Sequence, residues 1–128
     1  MGNEDLVLVS HDNGVTTVTL NRPDALNALS LALRNRISQV FDEIACDNGT
    51  EVVVLTGAGR AFTVGLDLKE LGGEIDPSAK ASSRDLSAAI GALQIPIIGA
   101  VNGFAITGGF EIALMCDFLI ATPEARFA

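Results

Sequence analysis

Glu111 is the residue of this 128-residue chain whose type and surroundings most clearly suggest chemistry. It closely follows Gly108 and Gly109, and the residues after it are Ile, Ala, Leu and Met. Glycines at the start of a helix let a ligand approach unpaired backbone N–H groups, and the positive end of the helix dipole favours negative charge. The pattern predicts one carboxylate and several exposed amides at one strand-to-helix junction.

A structural role also explains Glu111. If a helix is capped at Gly108, Glu111 is its third residue, where a Glu suits the helix dipole and the unpaired donors. On this residue alone, the structural explanation is preferred. The flanking pattern predicts a buried strand over residues 97–101, a glycine-rich bend over 102–109 and a second buried strand over 117–121.

A second segment has the same design. The apolar run over residues 52–56 is typical of a strand covered on both faces, and it ends in the glycine-rich turn 57–59. The chain then turns past Arg60 and reaches Gly65 and Leu66. Two strand ends, each followed by a glycine and a free amide, can aim two N–H groups at one oxygen atom. This second segment favours a functional role for Glu111.

Three segments together resemble the crotonase family, the enoyl-CoA hydratases and isomerases. Residues 21–23 (NRP) with 26–29 (LNAL) are similar to the family's opening signature. Residues 61–70 are similar to its first oxyanion segment, and residues 96–117 to its second. The resemblance implies an α/β fold built as a spiral of ββα units, of which residues 1–128 form the N-terminal core.

The resemblance also implies roles for individual residues. The amides of Leu66 and Gly108 would hold the thioester oxygen of an acyl-CoA, and Glu111 would be a catalytic acid or base. The segment from Leu66 to Lys69 would lie along the pantetheine and adenine of coenzyme A. The full set of implied substrate-binding residues is Arg22, Ala25, Ala61, Val64, Leu66, Asp67, Leu68, Lys69 and Gly108.

The family pattern extends further than this chain. Family members are longer, so the resemblance implies an incomplete chain that stops before the C-terminal helical region. The second catalytic carboxylate of the family would lie beyond Ala128. The full-length protein is expected to be a homo-oligomer, either a trimer or a dimer of trimers. Coenzyme A enters as part of the substrate, so no separate cofactor and no metal are expected.

Composition and charge exclude several classes of protein. The chain is 48% hydrophobic and 19% charged, which is typical of a globular protein, and no apolar run reaches the length of a membrane span. Its net charge of −8 argues against nucleic-acid binding, which needs clustered Lys and Arg. For Arg22, Arg60 and Lys69, contact with coenzyme A phosphates and ordinary solvation remain equally open. Cys46 and Cys116 are expected to be buried thiols in a reducing, cytoplasmic setting.

Other patterns predict the supporting elements. Asn13-Gly14 between residues 6–10 and 15–20 predicts a β-hairpin, with His11 as a surface residue beside the turn. Ser30 is expected to cap a helix that runs to about Ala45. Its buried stripe is predicted to be Leu33, Ile37, Val40, Phe41 and Ile44. A further helix is predicted from Asp76-Pro77 to about residue 93.

Four functions can be weighed from these residues and from the family resemblance. Hydration of a 2-enoyl-CoA is preferred, with double-bond isomerisation as the close alternative because it can proceed with one carboxylate. A non-catalytic acyl-CoA-binding protein is the second hypothesis. A serine hydrolase is disfavoured, since no G-x-S-x-G motif occurs and the single His lies in a turn.

Overall fold

Two β-sheets, of five and three strands, organise the part of the chain described by the computed structural model, residues 3–71 and 86–128. The strands are β1 Val7–Asp12, β2 Val15–Leu20, β3 Val52–Gly57, β4 Ala61–Thr63, β5 Ile97–Val101, β6 Phe104–Ala105, β7 Phe118–Ala121 and β8 Arg126–Phe127. The helices are α1 Leu31–Ala45, α2 Leu68–Leu71, α3 Leu86–Gly91 and α4 Gly108–Met115, with 3-10 turns at Asn3–Leu6 and Pro23–Ala25.

The larger sheet has the strand order β1-β2-β3-β5-β7. The β1–β2 pair is antiparallel and all other pairs are parallel. Asn13 and Gly14 turn the predicted hairpin at φ values of 49° and 83°, the left-handed conformation that a tight turn between twisted strands requires. A long strand, a short strand and a helix recur as β3-β4-α2 and β5-β6-α4, which is the predicted ββα repeat.

Helix α1 covers one face of this sheet. The Ser30 side chain accepts a hydrogen bond from the Leu33 N–H at 3.2 Å, so the predicted N-cap is confirmed. All members of the predicted stripe are buried, and they join the core with side chains of β2, β3 and β5. The 3.6-residue period of apolar side chains was sufficient to predict the buried face of α1, because the helix is long and one of its faces is solvent-exposed.

The smaller sheet, β4-β6-β8, is absent from the sequence-based prediction. Its strands contain only two or three residues each, too few to show an alternating pattern. β6 therefore lies inside the segment that was predicted to be a bend. The parallel pairing of Ala61 with Phe104 and of Thr63 with Ala105 brings the two glycine-rich segments side by side.

Two predictions about burial were wrong, and one predicted helix lies only partly within the described residues. Strand β7 is exposed along its whole length, with Phe118 67% accessible, because it is the last strand of its sheet and pairs only with β5 among the described residues. Cys46 is exposed, since it lies at the C-cap of α1. The predicted helix from Asp76-Pro77 begins outside the described residues, and its described part, α3, ends at Gly91. No helix within ranges 3–71 and 86–128 could span a membrane.

A chain of polar side chains links the hairpin to the loop after α1, at the edge of the sheet where β2 and β3 begin. His11 Nδ1 lies 2.9 Å from Thr16 Oγ1, which lies 2.7 Å from Thr50 Oγ1. Thr50 donates to Asp47 Oδ2 at 2.7 Å. Because a carboxylate only accepts, Thr50 accepts from Thr16, and Thr16 accepts from an Nδ1–H of His11. This network explains His11 structurally, as expected for a surface residue.

The Asp47 carboxylate is expected to make stability depend on pH. The Thr50 hydroxyl and then the Gly49 N–H hold its pKa below the ordinary value of 3.8, and the charge of His11 lowers this pKa further. A depressed pKa stabilises the fold above the ordinary value, and this contribution is lost as the pH falls through the folded-state pKa. In urea unfolding, Asp47→Asn should lower the midpoint at pH 7, and the difference from the parent should close towards pH 2. Asp24→Asn, beyond the other end of β2, is the control. A difference that does not change with pH would contradict the linkage.

Candidate active site

The amides of Leu66 and Gly108 lie close together where the two sheets meet. A methyl group built on Gly108 would be 3.8 Å from the Leu66 nitrogen and 3.5 Å from the Gly65 Cα. A methyl group on Gly65 would be 3.0 Å from the Gly108 nitrogen. The cause is the pairing of β4 with β6, because each predicted segment follows one of these strands.

The direction of the Leu66 N–H is set by its own peptide group. The Gly65 carbonyl accepts a hydrogen bond from the Leu29 N–H at 2.7 Å. In a trans peptide the C=O and the following N–H point in opposite directions, so the Leu66 N–H points away from Leu29. It donates to no acceptor within the described residues.

The Gly108 N–H is fixed in the same way. The Thr107 carbonyl accepts from the Glu111 N–H at 2.9 Å, as the first bond of α4, so the Gly108 N–H points backwards off the helix. Gly109 N–H bonds to Ile106 O at 2.8 Å, which closes a tight turn. Thr107 has φ 48° and ψ −108° in this turn, a position that favours Gly and costs a Thr about 1–3 kcal/mol. The Gly108 N–H also lacks an acceptor among residues 3–71 and 86–128.

Glu111 lies in the first turn of α4, close in sequence to the Gly108 donor. It is the fourth helical residue, three after Gly108, and residues three apart are neighbours on a helix surface. The predicted cap at Gly108 was one residue late, because Thr107 is the N-cap and makes no side-chain cap bond. The Glu111 side chain is exposed, so it can reach a ligand. The arrangement can bind an anionic oxygen beside a group that exchanges protons.

Arg22 and Asp67 form an ion pair between two predicted binding segments. Arg22 Nη1 lies 2.7 Å from Asp67 Oδ2 and also donates to Ala28 O at 3.1 Å. The other carboxylate oxygen of Asp67 accepts from the Lys69 N–H at 3.1 Å, which caps α2. Arg22 is therefore not the freely solvated charge that one of the two open interpretations described. The Arg60 and Lys69 side chains are exposed.

The remaining predicted residues differ in accessibility. Leu66 and Leu68 are 47% and 79% exposed, whereas Val64 and Ala25 are half-buried. Ala61 is completely buried, so its side chain offers no exposed surface, and its place among the binding residues stays a prediction. The structure thus brings the Leu66 and Gly108 amides together, with Glu111 in the first turn of α4, and encloses Ala61.

Two asparagines that sequence reasoning did not assign hold the β3–β4 turn. The buried Asn27 side chain donates to the carbonyls of Ala58, Ala61 and Phe62 at 3.0, 3.0 and 3.2 Å. Asn102 donates to Gly59 O and Ala61 O and accepts from the Gly57 N–H at 3.2 Å. The sequence did contain a signal, since each asparagine stands between apolar residues. A buried amide side chain must form hydrogen bonds, so such an asparagine is expected to bond nearby backbone groups.

Within the described ranges, no group of three or more His, Cys, Asp and Glu side chains comes together. The expectation that no metal is bound stays a prediction.

Cys116 should react slowly with thiol reagents. Burial, and then the charge of Asp117, raise the pKa of its thiol to about 11. Only about 0.1% of this thiol is then the reactive thiolate at pH 8. Mass spectrometry after treatment with iodoacetamide should show Cys46 modified first, and a Cys46→Ser variant should be modified only slowly. Labelling of Cys116 as fast in the folded as in the urea-unfolded chain would contradict this prediction.

Comparison of the sequence with known proteins matches this chain to enoyl-CoA hydratases. Residues 10–128 match the family model described as enoyl-CoA hydratase/isomerase. A protein of Arabidopsis thaliana named probable enoyl-CoA hydratase 1, peroxisomal, is 39% identical over 125 residues, which cover 97% of this chain and 47% of that protein. The 2,3-dehydroadipyl-CoA hydratase of Escherichia coli strain K12 is 40% identical over 123 residues, which cover 94% of this chain and 48% of that protein.

Comparison with solved structures gives matches to the same family. An enoyl-CoA hydratase from Mycobacterium tuberculosis H37Rv has 47% identity and a TM-score of 0.80, with 97% of this chain and 51% of that chain covered. An enoyl-CoA hydratase/isomerase from Mycobacterium paratuberculosis has 29% identity and a TM-score of 0.89, with 97% and 52% covered. The chain spans about half the length of the relatives that it matches, and the predicted fold class is confirmed.

Proposed function

Because this chain belongs to the enoyl-CoA hydratase/isomerase family, as its sequence predicted, we propose that it binds an acyl-CoA thioester and takes part in hydration of a 2-enoyl-CoA. The Leu66 and Gly108 N–H groups donate to the thioester carbonyl oxygen. The observation that carries this proposal is that two neighbouring amides, each oriented by its own carbonyl, have no acceptor within the described residues.

The chemistry explains why two amides are needed. When water adds to the β-carbon of a conjugated thioester, electron density moves to the carbonyl oxygen and forms an enolate. Fixed donors stabilise this charge without reorganising, and the loss of one such donor costs about 3–4 kcal/mol in known enzymes. The hydrogen bonds from Leu29 to Gly65 and from Glu111 to Thr107 hold both donors in place before the substrate arrives.

Glu111 moves the proton in this proposal. Water gives its oxygen to the β-carbon, one of its protons leaves, and the α-carbon gains a proton. One carboxylate can serve either transfer, and a second carboxylate would serve the other. Isomerisation of the double bond remains the alternative, because a single carboxylate can take a proton from one carbon and return it to another. A non-catalytic thioester-binding protein would use the two amides alone.

The segment from Leu66 to Lys69 carries the coenzyme A part of the substrate in this proposal. Leu66 and Leu68 offer exposed apolar surface to the pantetheine, and Lys69 offers a positive charge to the phosphates. The ion pair with Asp67 occupies Arg22, which therefore fixes the segment rather than supplying a free charge. Assembly of the full-length protein into trimers and a cytoplasmic location are further parts of the proposal.

A matched pair of ligands tests the carbonyl contact. We expect crotonyl-CoA to shift the amide NMR signals of Leu66 and Gly108 in the ¹⁵N-labelled chain. S-butyl-CoA, a thioether without the carbonyl oxygen, should leave these two signals nearly unchanged while it still perturbs residues 67–69. Equal shifts with both ligands, or none with either, would refute the proposal. Loss of the enoyl-thioester absorbance then distinguishes hydration from binding alone.

A further inference from the structure

Thr63 connects all three segments of the site through one buried side chain and its peptide group. It belongs to β4 and is completely buried. Its hydroxyl donates to the Asn27 carbonyl at 2.6 Å and accepts from the Gly65 N–H at 3.1 Å. Its own carbonyl accepts from the Ile106 N–H at 3.1 Å. Thr63 therefore contacts the segment before α1, the segment that leads to Leu66 and the segment that leads to Gly108.

The direction of each hydrogen bond follows from the groups involved. A carbonyl can only accept, so the hydroxyl hydrogen is committed to Asn27, and a lone pair of the same oxygen is left for Gly65. Both bonds are satisfied at once, and the oxygen has no access to water. The Gly65 N–H is thereby tied to the Asn27 backbone through one atom.

Two further hydrogen bonds that hold the backbone before Leu66 are between main-chain groups. Val64 N–H donates to Leu26 O at 3.2 Å, and Gly65 O accepts from Leu29 N–H. Among the described groups that fix these peptides, the Thr63 hydroxyl is the side-chain member, so a substitution can remove it without changing the main chain. Gly109 packs directly on the Thr63 carbonyl, which ties the start of α4 to the same residue.

We propose that Thr63 is a positioning residue: it anchors the Val64–Gly65 peptide, so that the Leu66 N–H, directed by the bond from Leu29 to Gly65, stays paired with the Gly108 N–H on one oxygen. This inference rests on the function proposed above. Thr63 touches no substrate atom, because it is enclosed. It acts on one side through the Val64–Gly65 peptide, which precedes the Gly65–Leu66 peptide, and on the other side through Ile106.

Two variants isolate the hydroxyl. Thr63→Ser and Thr63→Ala both lose the methyl group, and they differ only in the oxygen that bonds Asn27 and Gly65. We expect Thr63→Ser to keep the preference for crotonyl-CoA over S-butyl-CoA and the shift of the Leu66 amide signal. Thr63→Ala should lose about tenfold of that preference, equivalent to about 1.4 kcal/mol, and most of that shift. Equal behaviour of the two variants would overturn the proposal.

A second buried threonine supplies the control for stability. Thr16 is also buried and hydrogen-bonded, but it lies at the start of β2, in the network that links His11 to Asp47. Thr16→Ala should destabilise the fold and leave the preference between the two ligands unchanged. If Thr16→Ala lowers that preference as much as Thr63→Ala does, the effect is a general loss of stability and the positioning role is refuted.

Hydrogen exchange in the unsubstituted chain tests the same idea when Thr63→Ala does not fold. The Gly65 amide should exchange slowly, and the Leu66 amide, one residue later, should exchange fast until crotonyl-CoA is added. A fast Gly65 amide would overturn the positioning role alone. If the exchange rate of the Leu66 amide does not change when crotonyl-CoA is added, the proposed function is overturned, and the inference with it. The two failures are therefore distinguishable.

Discussion

Glu111→Gln is expected to lower turnover of a 2-enoyl-CoA by about 10²–10⁴-fold, the usual contribution of a positioned acid or base. The amide side chain has nearly the same size as the carboxylate but cannot act as the general acid or base of the reaction. Glu111 is exposed on the first turn of α4, so the free energy of unfolding should change by no more than about 0.5 kcal/mol. The measurement is the loss of the enoyl-thioester absorbance under saturating substrate.

A matched variant controls for the change of charge. Glu124→Gln removes the same charge from another exposed position, between β7 and β8, and should leave turnover unchanged. Binding of crotonyl-CoA to Glu111→Gln should persist, because the Leu66 and Gly108 amides remain. Turnover by Glu111→Gln equal to that of the parent would remove Glu111 from the mechanism and would favour the thioester-binding alternative.

Gly109→Ala is expected to destabilise the chain by about 3 kcal/mol or more. A methyl group at this position would overlap the Thr63 carbonyl and lie 3.0 Å from the Thr63 Cγ2. Both obstacles belong to a buried strand, and backbone cannot move aside as a flexible side chain can. Either the fold is lost or α4 moves away from β4, which separates the Gly108 amide from the Leu66 amide. Thermal unfolding and the amide shifts with crotonyl-CoA report these two outcomes.

Gly91→Ala is the matched substitution without an obstacle. Apart from its chain neighbours and its own helix backbone, no atom of the described residues lies within 4 Å of the added methyl group, and Gly91 ends helix α3 without a positive φ. Alanine reduces the freedom of the unfolded chain and favours helix, so we expect a gain of about 0.5–1 kcal/mol. If Gly109→Ala were as stable as Gly91→Ala, close packing of α4 on β4 would not be what holds the site together.

The long elements could be predicted because local physics determines them. Helix α1 has a capping Ser30, one solvent-facing side and a buried stripe over four turns. This amphipathic pattern predicts the helix without knowledge of its tertiary contacts. The hairpin follows from the ability of Asn13 and Gly14 to adopt positive φ. Strands β3 and β5 are apolar apart from Thr56, as is typical of parallel strands in a covered sheet.

Other features were beyond local reasoning. Strand β7 is as apolar as β5, yet it lies at the end of its sheet and is exposed, and sequence pattern cannot tell an end strand from a central one. Thr63 looks like an ordinary strand residue, because the partners of its hydroxyl and its carbonyl come from segments far apart in the chain. Arg22 was open between two roles until the fold placed Asp67 beside it.

Local sequence is enough to identify the available peptide groups, since glycines before Leu66 and at Gly108, together with the family pattern, mark them without coordinates. That these groups meet depends on the three-dimensional fold. The pairing of two very short strands, β4 and β6, brings together amides that are 42 positions apart, from 66 to 108, and such pairing leaves no periodic trace in either segment. The direction of each N–H is likewise a tertiary property, because it depends on which distant group its own peptide carbonyl binds.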